Sequence, residues 1–447
     1  MALQGFKIRT FTNVQPGATA DSWWNNANSE VYRLNAWPKV APGVTASAEI
    51  TKISSVVRGS PSERELHFEV KNTGTTAIDI DVWGLRWDWS LQDMLDAVRA
   101  EFGVPAVGGA TVTAQGIKEL GVSGMRKHGS TVEVEAGDRW HLGSDTKAMT
   151  ATLLAVLAQK GIVGWGVTVA QVFPEWTQTM NAMFKDMTFE RLMAHRSGIV
   201  KSTSEEWTAL ADTSKTVPQR RREFARLITH RLHDDPNMPF DAPGWIHLYM
   251  NENFILAGAM LERCTGKSWE DLMTTELFRP LGMTTAGFGA PGSASDISEP
   301  YGHSDASGQR IASKGDNPPG LGPAGTVHAS LRDWARFIRL HLDGSEGSLT
   351  LSPTTLDRLH TQYPTNTMYP NRYGWGWGMY DDVGGLALSH NGSNNLWYCS
   401  CQVLPGKGLG FLAVTNIGQD DPVNKYGKGG LACGKIIEKL RERQFQM

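Results

Sequence analysis

Residues 141–161, HLGSDTKAMTATLLAVLAQKG, decide the fold of this chain. Apolar residues recur from Met149 to Leu157 at the spacing of one helix face, and Gly161 ends the pattern. The spacing therefore predicts a helix from about Ser144 to Lys160. Lys147 comes three residues after Ser144, so we expect its side chain on the same face, one turn inside the helix and beneath the serine hydroxyl.

The S-x-x-K spacing of Ser144 and Lys147 suits nucleophilic chemistry. A serine hydroxyl is a poor nucleophile until a neighbouring base takes its proton, and a lysine one turn away can act as that base. A helix start also favours a developing negative charge on the serine oxygen. Taken alone, the spacing fits a capped helix with a surface lysine equally well.

A second element, Tyr249-Met250-Asn251, precedes a helical stripe over residues 254–261 that Gly266 ends. A tyrosine near a lysine ammonium group is expected to ionise more easily and to relay a proton. Asn251 can hold the lysine and a substrate carbonyl by hydrogen bonds. The same Y-x-N spacing occurs at residues 369–371, but no helical pattern follows there, so we favour Tyr249.

A third element, His390-Asn391-Gly392-Ser393, closes a predicted strand over residues 386–389. Gly392 would allow a substrate backbone to lie against the strand edge. The backbone N–H of Ser393 is predicted to join that of Ser144 as an oxyanion hole. Trp397 follows directly, and the sequence leaves open whether it lines the rim of the cleft or packs inside the sheet.

Residues 1–88 differ in pattern from the rest of the chain. Alternation at residues 66–70 and 78–82, around a turn at residues 72–74, predicts a hairpin, and residues 44–57 read as a further strand. We predict a small all-β accessory domain, in the form of a sandwich. Its tryptophans are assigned to core or interdomain packing in preference to a ligand-binding face.

Residues 89–447 form the second predicted domain. A helical region over residues 165–345 separates early strands from late strands at residues 386–389, 396–404 and 410–416, and a helix over residues 431–443 closes the chain. This order predicts an α/β (α+β) fold in which an antiparallel sheet is flanked by helices and accompanied by an all-α subdomain.

Composition excludes several classes of function. The formal net charge of −3 over 447 residues gives no basic face for nucleic acid. No apolar run is long enough to span a membrane, and the N-terminus carries no signal-peptide pattern, so the chain as written is expected in the cytoplasm, or in the periplasm or outside the cell if a signal has been removed. The cysteines are assigned to buried thiols, with Cys399 and Cys401 on the same side of a strand.

No metal site and no cofactor are predicted. The group His230, His233, Asp234 and Asp235 lies in a charged stretch and lacks the spacing of known zinc motifs.

The three elements S-x-x-K, Y-x-N and H-x-G, in this order and each in its expected setting, resemble the serine β-lactamase and penicillin-binding-protein superfamily. The resemblance covers about residues 90–440 and is strongest for the class C-like branch, with D,D-peptidases, D-aminopeptidases and family VIII esterases. Residues 192–198, which read L-x-x-H-x-S-G, residues 322–325 and the Y-G-W-G segment at residues 373–376 carry it further.

The resemblance implies a role for each site residue. Ser144 becomes acylated, Lys147 and Tyr249 share the general-base and general-acid work, and Asn251 positions the substrate or the lysine. His390 and Gly392 line the far wall, where β-lactamases carry a lysine. Because the chain has no K-T-G or K-S-G motif, the case for recognising a β-lactam carboxylate is weakened.

These inferences predict a serine hydrolase that cleaves a small ester, amide or peptide, of the esterase or D-amino-acid peptidase type. The alternatives are an acyltransferase on the same scaffold, a class C-like β-lactamase and, with least support, a binding scaffold without turnover. A homo-oligomer is left open.

Overall fold

A computed structural model describes residues 2–445 except residues 17, 26–30, 40–46, 58–63, 76–77, 89, 200–201, 232–246, 306–307, 365–371, 383–384 and 419–426. The chain divides into two compact units, Met1–Ser90 and Leu91–Met447. Among the described residues, no helix is both long enough and apolar enough to cross a membrane.

The first unit contains six strands in its described part. They are β1 (Ala2–Val14), β2 (Thr19–Asn25), β3 (Val31–Lys39), β4 (Ala48–Val57), β5 (Arg64–Asn72) and β6 (Ile78–Asp88). They form two three-stranded antiparallel sheets, ordered β1-β6-β3 and β2-β5-β4.

The predicted hairpin between residues 66–70 and 78–82 is wrong, because β5 and β6 lie in different sheets. Strand alternation reports that one face of a strand is buried, and it does not report which strand is the partner. The side chains of Trp23, Trp24, Trp37, Trp83 and Trp87, and all of Trp89, lie outside the described part of the structure. The sandwich and the assignment of these tryptophans stay predictions.

The second unit is built on a seven-stranded sheet of order β16-β17-β18-β19-β20-β7-β8, in which every pair of neighbours is antiparallel. Its strands, with those of three smaller sheets, are β7 (Ala106–Thr113), β8 (Gly116–Gly124), β9 (Arg139–His141), β10 (Gly287–Phe288), β11 (Gly302–Ser304), β12 (Ile311–Ser313), β13 (Val327–Ser330), β14 (Ser345–Glu346), β15 (Leu349–Thr350), β16 (Tyr373–Gly374), β17 (Trp377–Asp382), β18 (Gly385–Ser393), β19 (Tyr398–Leu404) and β20 (Leu409–Thr415). The predicted antiparallel sheet is confirmed.

Helices surround this sheet and fill the long connection between β9 and β13. They are α1 (Leu91–Phe102), α2 (Thr146–Gln159), α3 (Val169–Val172), α4 (Ala182–Lys185), α5 (Phe189–Met193), α6 (Ser204–Ala211), α7 (Val217–His230), α8 (Asn251–Thr265), α9 (Trp269–Leu272), α10 (Arg279–Leu281), α11 (Gly322–Gly325), α12 (Leu331–Asp343), α13 (Pro353–Leu359) and α14 (Gly427–Phe445). A π-helical turn, Met273–Phe278, joins α9 to α10.

Two adjacent glycines in β7 show how closely the helices pack on the sheet. A Cβ at Gly109 would lie 2.8 Å from Ile436 of α14, and a Cβ at Gly108 would lie 3.0 Å from Leu331 of α12. Successive residues of a strand face opposite sides, so α14 and α12 cover opposite faces of the sheet. The sheet is therefore a buried central layer, as the α/β prediction requires.

The predicted helix at residues 144–160 begins with a 3₁₀ turn, Gly143–Asp145, and continues as α2. Every residue of α2 from Thr146 to Leu157 is buried. A helix buried all round is a core helix, and α2 carries its polar residues into the interior.

Candidate active site

Ser144 lies in the 3₁₀ turn that leads into α2. A backbone hydrogen bond joins the residue before this turn to β13, since Leu142 N donates to Val327 O at 2.8 Å. Gly143 has a left-handed backbone with φ 47°, and a Cβ there would lie 2.4 Å from the backbone N of Ser393. Only glycine allows β18 to come this close to the turn that carries Ser144.

Lys147 is fully buried beneath Ser144. Its Nζ lies 2.8 Å from Ser144 Oγ, 2.8 Å from Asn251 Oδ1 and 2.7 Å from the carbonyl oxygen of Ala324. All three acceptors are uncharged. Burial lowers the pKa of Lys147 to about 7, although the negative charges of Glu252 and Asp145 oppose the effect. The amine can therefore exchange a proton with Ser144 at neutral pH.

Tyr249 approaches the same serine from the other side. Its hydroxyl shares a hydrogen bond with Ser144, and Lys147 Nζ lies 4.9 Å from its ring centroid. The residue as a whole is 41% exposed, but the hydroxyl end lies in the site, and its burial raises the pKa of Tyr249. The expectation that this tyrosine ionises more easily is therefore wrong, because desolvation and the charge of Asp145 outweigh the hydrogen bond to Ser144.

The L-x-x-H-x-S-G segment holds the Y-x-N turn in place. His195 Nδ1 accepts from Met250 N at 3.1 Å and from Asn253 Nδ2 at 3.0 Å, and Ser197 Oγ donates to Asn253 Oδ1 at 2.5 Å. The ring of His195 also lies 4.4 Å from that of Tyr249. These contacts fix the start of α8 and thereby the direction of Tyr249. Residues 243–245, which precede the turn, lie outside the described part.

His390 forms the far wall of the site on β18. Its Nδ1 lies 2.8 Å from Asn391 O and its Nε2 lies 3.1 Å from the hydroxyl of Tyr373. Burial, with the charge of Lys147, lowers the pKa of His390 to about 3. The imidazole is then neutral at physiological pH, so Nδ1–H donates to Asn391 and Nε2 accepts from Tyr373. This wall carries no positive charge.

Gly392 has no room for a side chain, and its predicted place beside a substrate backbone stays a prediction. A Cβ at Gly392 would lie 1.9 Å from Leu142 O and 2.9 Å from Asp145 Oδ2. The nucleophile turn itself therefore fills the space that a side chain would need. Ser393 Oγ donates to Trp397 O at 2.8 Å and accepts from Asn395 N at 3.0 Å, so its hydroxyl is engaged in the turn after β18.

Trp397 does not line the cleft in this structure. The side chain is fully buried, its ring stacks on His141 with centroids 5.8 Å apart, and it fills the space beside Gly302. Trp375 is also buried, at an edge-on contact with Trp165. Ser144, Lys147, Tyr249, Asn251 and His390 are thus brought together, and Trp397 packs behind them.

Several residues that contact the site were not identified from the sequence. The carbonyl oxygen of Ala324 accepts a hydrogen bond from Lys147, and the hydroxyl of Tyr373 donates one to His390. Both residues lie in segments that the family resemblance includes, residues 322–325 and 373–376, but the resemblance gave neither residue a role. Asp145, directly after the nucleophile, is buried and accepts hydrogen bonds from the thiols of Cys399 and Cys401 at 3.0 Å each. The same-side placement of these two cysteines was predicted and is confirmed.

Two candidates in the described part of the chain, Cys264 and His230, are not among the residues that contact Ser144 and Lys147. The prediction of buried thiols is confirmed for three cysteines and is wrong for Cys264, which is exposed. His230 bonds the carbonyl of Arg226 and the hydroxyl of Thr179, while residues 233–235 lie outside the described part. Within the described ranges, no group of three His, Cys, Asp or Glu side chains is placed to hold a metal ion.

The fold and the three motifs define the class: a mixed α/β protein of the serine β-lactamase and penicillin-binding-protein superfamily. The Beta-lactamase family model matches residues 100–432, and the chain belongs to that family. Penicillin-binding protein 4 from Amycolatopsis lactamdurans is 27% identical over 361 residues, which cover 78% of this chain and 88% of that protein.

Solved structures show the same fold. D-amino acid amidase from Ochrobactrum anthropi SV3, complexed with L-phenylalanine amide, superposes with a TM-score of 0.62 at 21% identity, over 79% of this chain and 98% of that one. A class C β-lactamase from Rhodobacter sphaeroides superposes with a TM-score of 0.60 at 18% identity, over 78% and 99% of the two chains. The superfamily thus includes hydrolases of amides and of β-lactams.

Proposed function

We propose that this chain is a serine hydrolase that forms an acyl-enzyme on Ser144 and cleaves a carboxylic ester or a small amide or peptide bond. The observation that carries the proposal is the 2.8 Å contact between Ser144 Oγ and the Nζ of a buried lysine whose pKa is lowered to about 7. A base is most effective when its pKa lies near the working pH.

In the acylation step, neutral Lys147 takes the proton of Ser144 as Oγ attacks the substrate carbonyl carbon. The carbonyl oxygen becomes an oxyanion, for which the backbone N–H groups of Ser144 and Ser393 are the proposed donors. The proximity of the Ser393 backbone N to Gly143 supports that assignment.

The tetrahedral intermediate then collapses, and its bond to the leaving group breaks. Tyr249 suits the role of proton donor to the leaving alcohol or amine, because its raised pKa keeps the hydroxyl protonated. Lys147, which took up the serine proton, then returns a proton to Tyr249, so both groups regain their starting protonation. In deacylation neutral Lys147 takes a proton from water as the water oxygen attacks the acyl carbon, the bond to Ser144 Oγ breaks, and Lys147 returns the proton to Ser144.

The neutral far wall supports esters and amides above β-lactams as substrates. A cation in this position would pair with a β-lactam carboxylate, and His390 is uncharged at physiological pH. D-amino acid amidase shares this fold and makes an amide a candidate substrate, as the class C β-lactamase does for a β-lactam. An acyltransferase is the second candidate, because deacylation by an alcohol or amine would use the same residues.

Intact-mass labelling tests the nucleophile. We expect a fluorophosphonate to add once to the native chain and not to Ser144→Ala, and hydrolysis to fall by a factor on the order of 10⁴ or more in that variant. Ser204→Ala, an exposed serine at the start of α6, is the matched control and should label normally. A native chain that gives no adduct at Ser144 would refute the acyl-enzyme.

Panels of substrates then distinguish the candidate activities from one another. p-Nitrophenyl esters and D- and L-amino-acid anilides distinguish an esterase from an amidase, and penicillin turnover would indicate a β-lactamase. Adding an alcohol or amine acceptor tests acyl transfer: a transferred product that replaces most of the free acid would favour the acyltransferase.

A further inference from the structure

The carboxyl group of Asp145 is held in a closed space behind the nucleophile. Asp145 is 1% exposed, its Oδ2 lies 3.0 Å from Cys399 Sγ, and its Oδ1 lies 3.0 Å from Cys401 Sγ. Its backbone N donates to Leu142 O at 3.0 Å. Gly392 lies so close that a Cβ there would sit 2.9 Å from Oδ2. The carboxyl group therefore has no route to solvent.

The partners of this carboxyl group are weak. A thiol is a poor hydrogen-bond donor, and the single proton of Cys399 is shared with Leu142 O, 3.1 Å from its Sγ. Among the residues that the structure describes, no lysine or arginine lies within ion-pair distance of Asp145. Buried carboxylates are normally paired with a cation or with strong donors, whereas the charge of Asp145 is compensated only by the thiols, its own backbone N–H and the charge of Lys147 beyond ion-pair distance.

We propose that Asp145 is a positioning residue that acts through Lys147: the charge on its buried carboxyl group, which the thiols of Cys399 and Cys401 favour, shifts the pH range in which Lys147 is neutral. The proposal rests on the proposed function only in taking Lys147 as the base. The charge of Asp145 raises the pKa of Lys147, because a negative charge in a low-dielectric interior favours the ammonium form of the lysine.

The two groups titrate in the same range. Burial raises the pKa of Asp145 to about 6, and the hydrogen bonds from Cys401 and Cys399 oppose this shift. The pKa of Lys147 lies at about 7, and Asp145 is one of the two acids that keep it from falling further. Their protonation is therefore coupled, and a change at one changes the other.

The other ionisable groups that face this pair come from several elements. Besides Asp145, the groups that face Lys147 are one further acid, Glu252 of α8, and three uncharged rings: His195, His390 and Tyr249. Asp145 faces three thiols and two phenols, whose pKa values are all raised and which are therefore uncharged near neutral pH: Cys399, Cys401, Cys433, Tyr249 and Tyr373. Asp145 and Glu252 are thus the acids whose charge acts on Lys147.

Reaction at Ser144 needs neutral Lys147, so the rate falls as the pH drops through the lysine pKa. In Asp145→Asn the negative charge is lost, the lysine pKa falls, and the acid limb moves to lower pH by about one unit. In Cys401→Ser a stronger donor favours the ionised carboxylate, so the limb moves by a few tenths of a unit, roughly, in the opposite direction.

The test measures the rate of Ser144 phosphonylation and the kcat/KM of an activated ester from about pH 5 to about pH 9, a range that spans both pKa values. Asp186→Asn makes the same chemical change at an exposed, remote position and should leave the midpoint unchanged. A purely structural role for Asp145 would change the rate at every pH but would not move the midpoint.

An unmoved midpoint in a folded Asp145→Asn protein, or a shift to higher pH, overturns the proposal. If that variant fails to fold, Cys401→Ser decides, and an unmoved midpoint there overturns it equally. If the native chain shows no reaction at Ser144, the proposed function fails. The inference is then judged separately from the titration of the Lys147 side chain by NMR, in the native chain and in Cys401→Ser.

Discussion

Arg221 and Lys147 are both fully buried, but the side chain of Arg221 is bonded to carboxylates and that of Lys147 to uncharged acceptors. Arg221 on α7 bonds the carboxylates of Glu262 and Glu270, with Nη2 2.6 Å from Glu270 Oε2 and Nε 3.1 Å from Glu262 Oε1. Lys147 on α2 bonds a hydroxyl, an amide oxygen and a backbone carbonyl. In the described part of the chain, no carboxylate lies within ion-pair distance of its Nζ.

The hydrogen-bond partners set the pKa of each side chain. Burial lowers the pKa of Arg221, but the two carboxylates more than offset this and raise it, so the guanidinium is permanently charged. For Lys147, uncharged partners do not offset burial, and the pKa falls to about 7. A buried cation paired with carboxylates keeps its charge, whereas a buried cation among neutral acceptors can give up a proton.

The largest expected effect comes from Lys147→Arg. A guanidinium keeps the positive charge but cannot lose its proton, so the general base is removed. We expect kcat/KM and the rate of Ser144 phosphonylation to fall by about 10²–10⁴-fold, measured by ester hydrolysis and intact mass. Lys160→Arg, at the exposed end of α2, is the control. Native activity in Lys147→Arg would show that deprotonation of this residue is not needed.

Arg221→Met tests the other half of the comparison. Without the guanidinium, Glu262 and Glu270 lose their shared cation, and we expect the free energy of unfolding to drop by roughly 3–5 kcal/mol. The kcat/KM of the folded fraction should not change. Chemical denaturation measures the first quantity.

Arg226→Met on the same helix is the matched control for Arg221→Met. It removes the exposed i,i+3 pair with Glu223, so its cost should stay below about 1 kcal/mol. If the two variants lost equal stability, the buried network would have no special role.

Much of the second unit could be predicted from the sequence because its signals are local. The predicted strands at residues 386–389 and 410–416 correspond to β18 and β20, and the closing helix corresponds to α14. The hairpin predicted in the first unit failed because alternation fixes the face of a strand and leaves its partner undetermined.

The same division applies to the site. The short spacing of Ser144 and Lys147 on one helix made their contact predictable. The burial of Trp397 and the thiol contacts of Asp145 arise where β18 and β19 pack against the nucleophile turn, more than a hundred residues away in the chain. No local pattern reports such a contact.

Tyr373→Phe gives the smallest expected effect and tests the neutral wall of the site. The change removes the hydroxyl that donates to His390 Nε2 at 3.1 Å and leaves a buried acceptor without that donor. We expect a loss of about 1–2 kcal/mol in the free energy of unfolding, and a fall in kcat/KM of about three- to tenfold because the His390 ring is less firmly held. Tyr301→Phe also deletes a hydroxyl that donates a hydrogen bond, to Ala294 O at 2.9 Å, and should lower stability without lowering kcat/KM. Equal kcat/KM in the two variants would mean that the orientation of His390 does not matter for turnover, and the far wall would then act through its shape and its lack of charge alone.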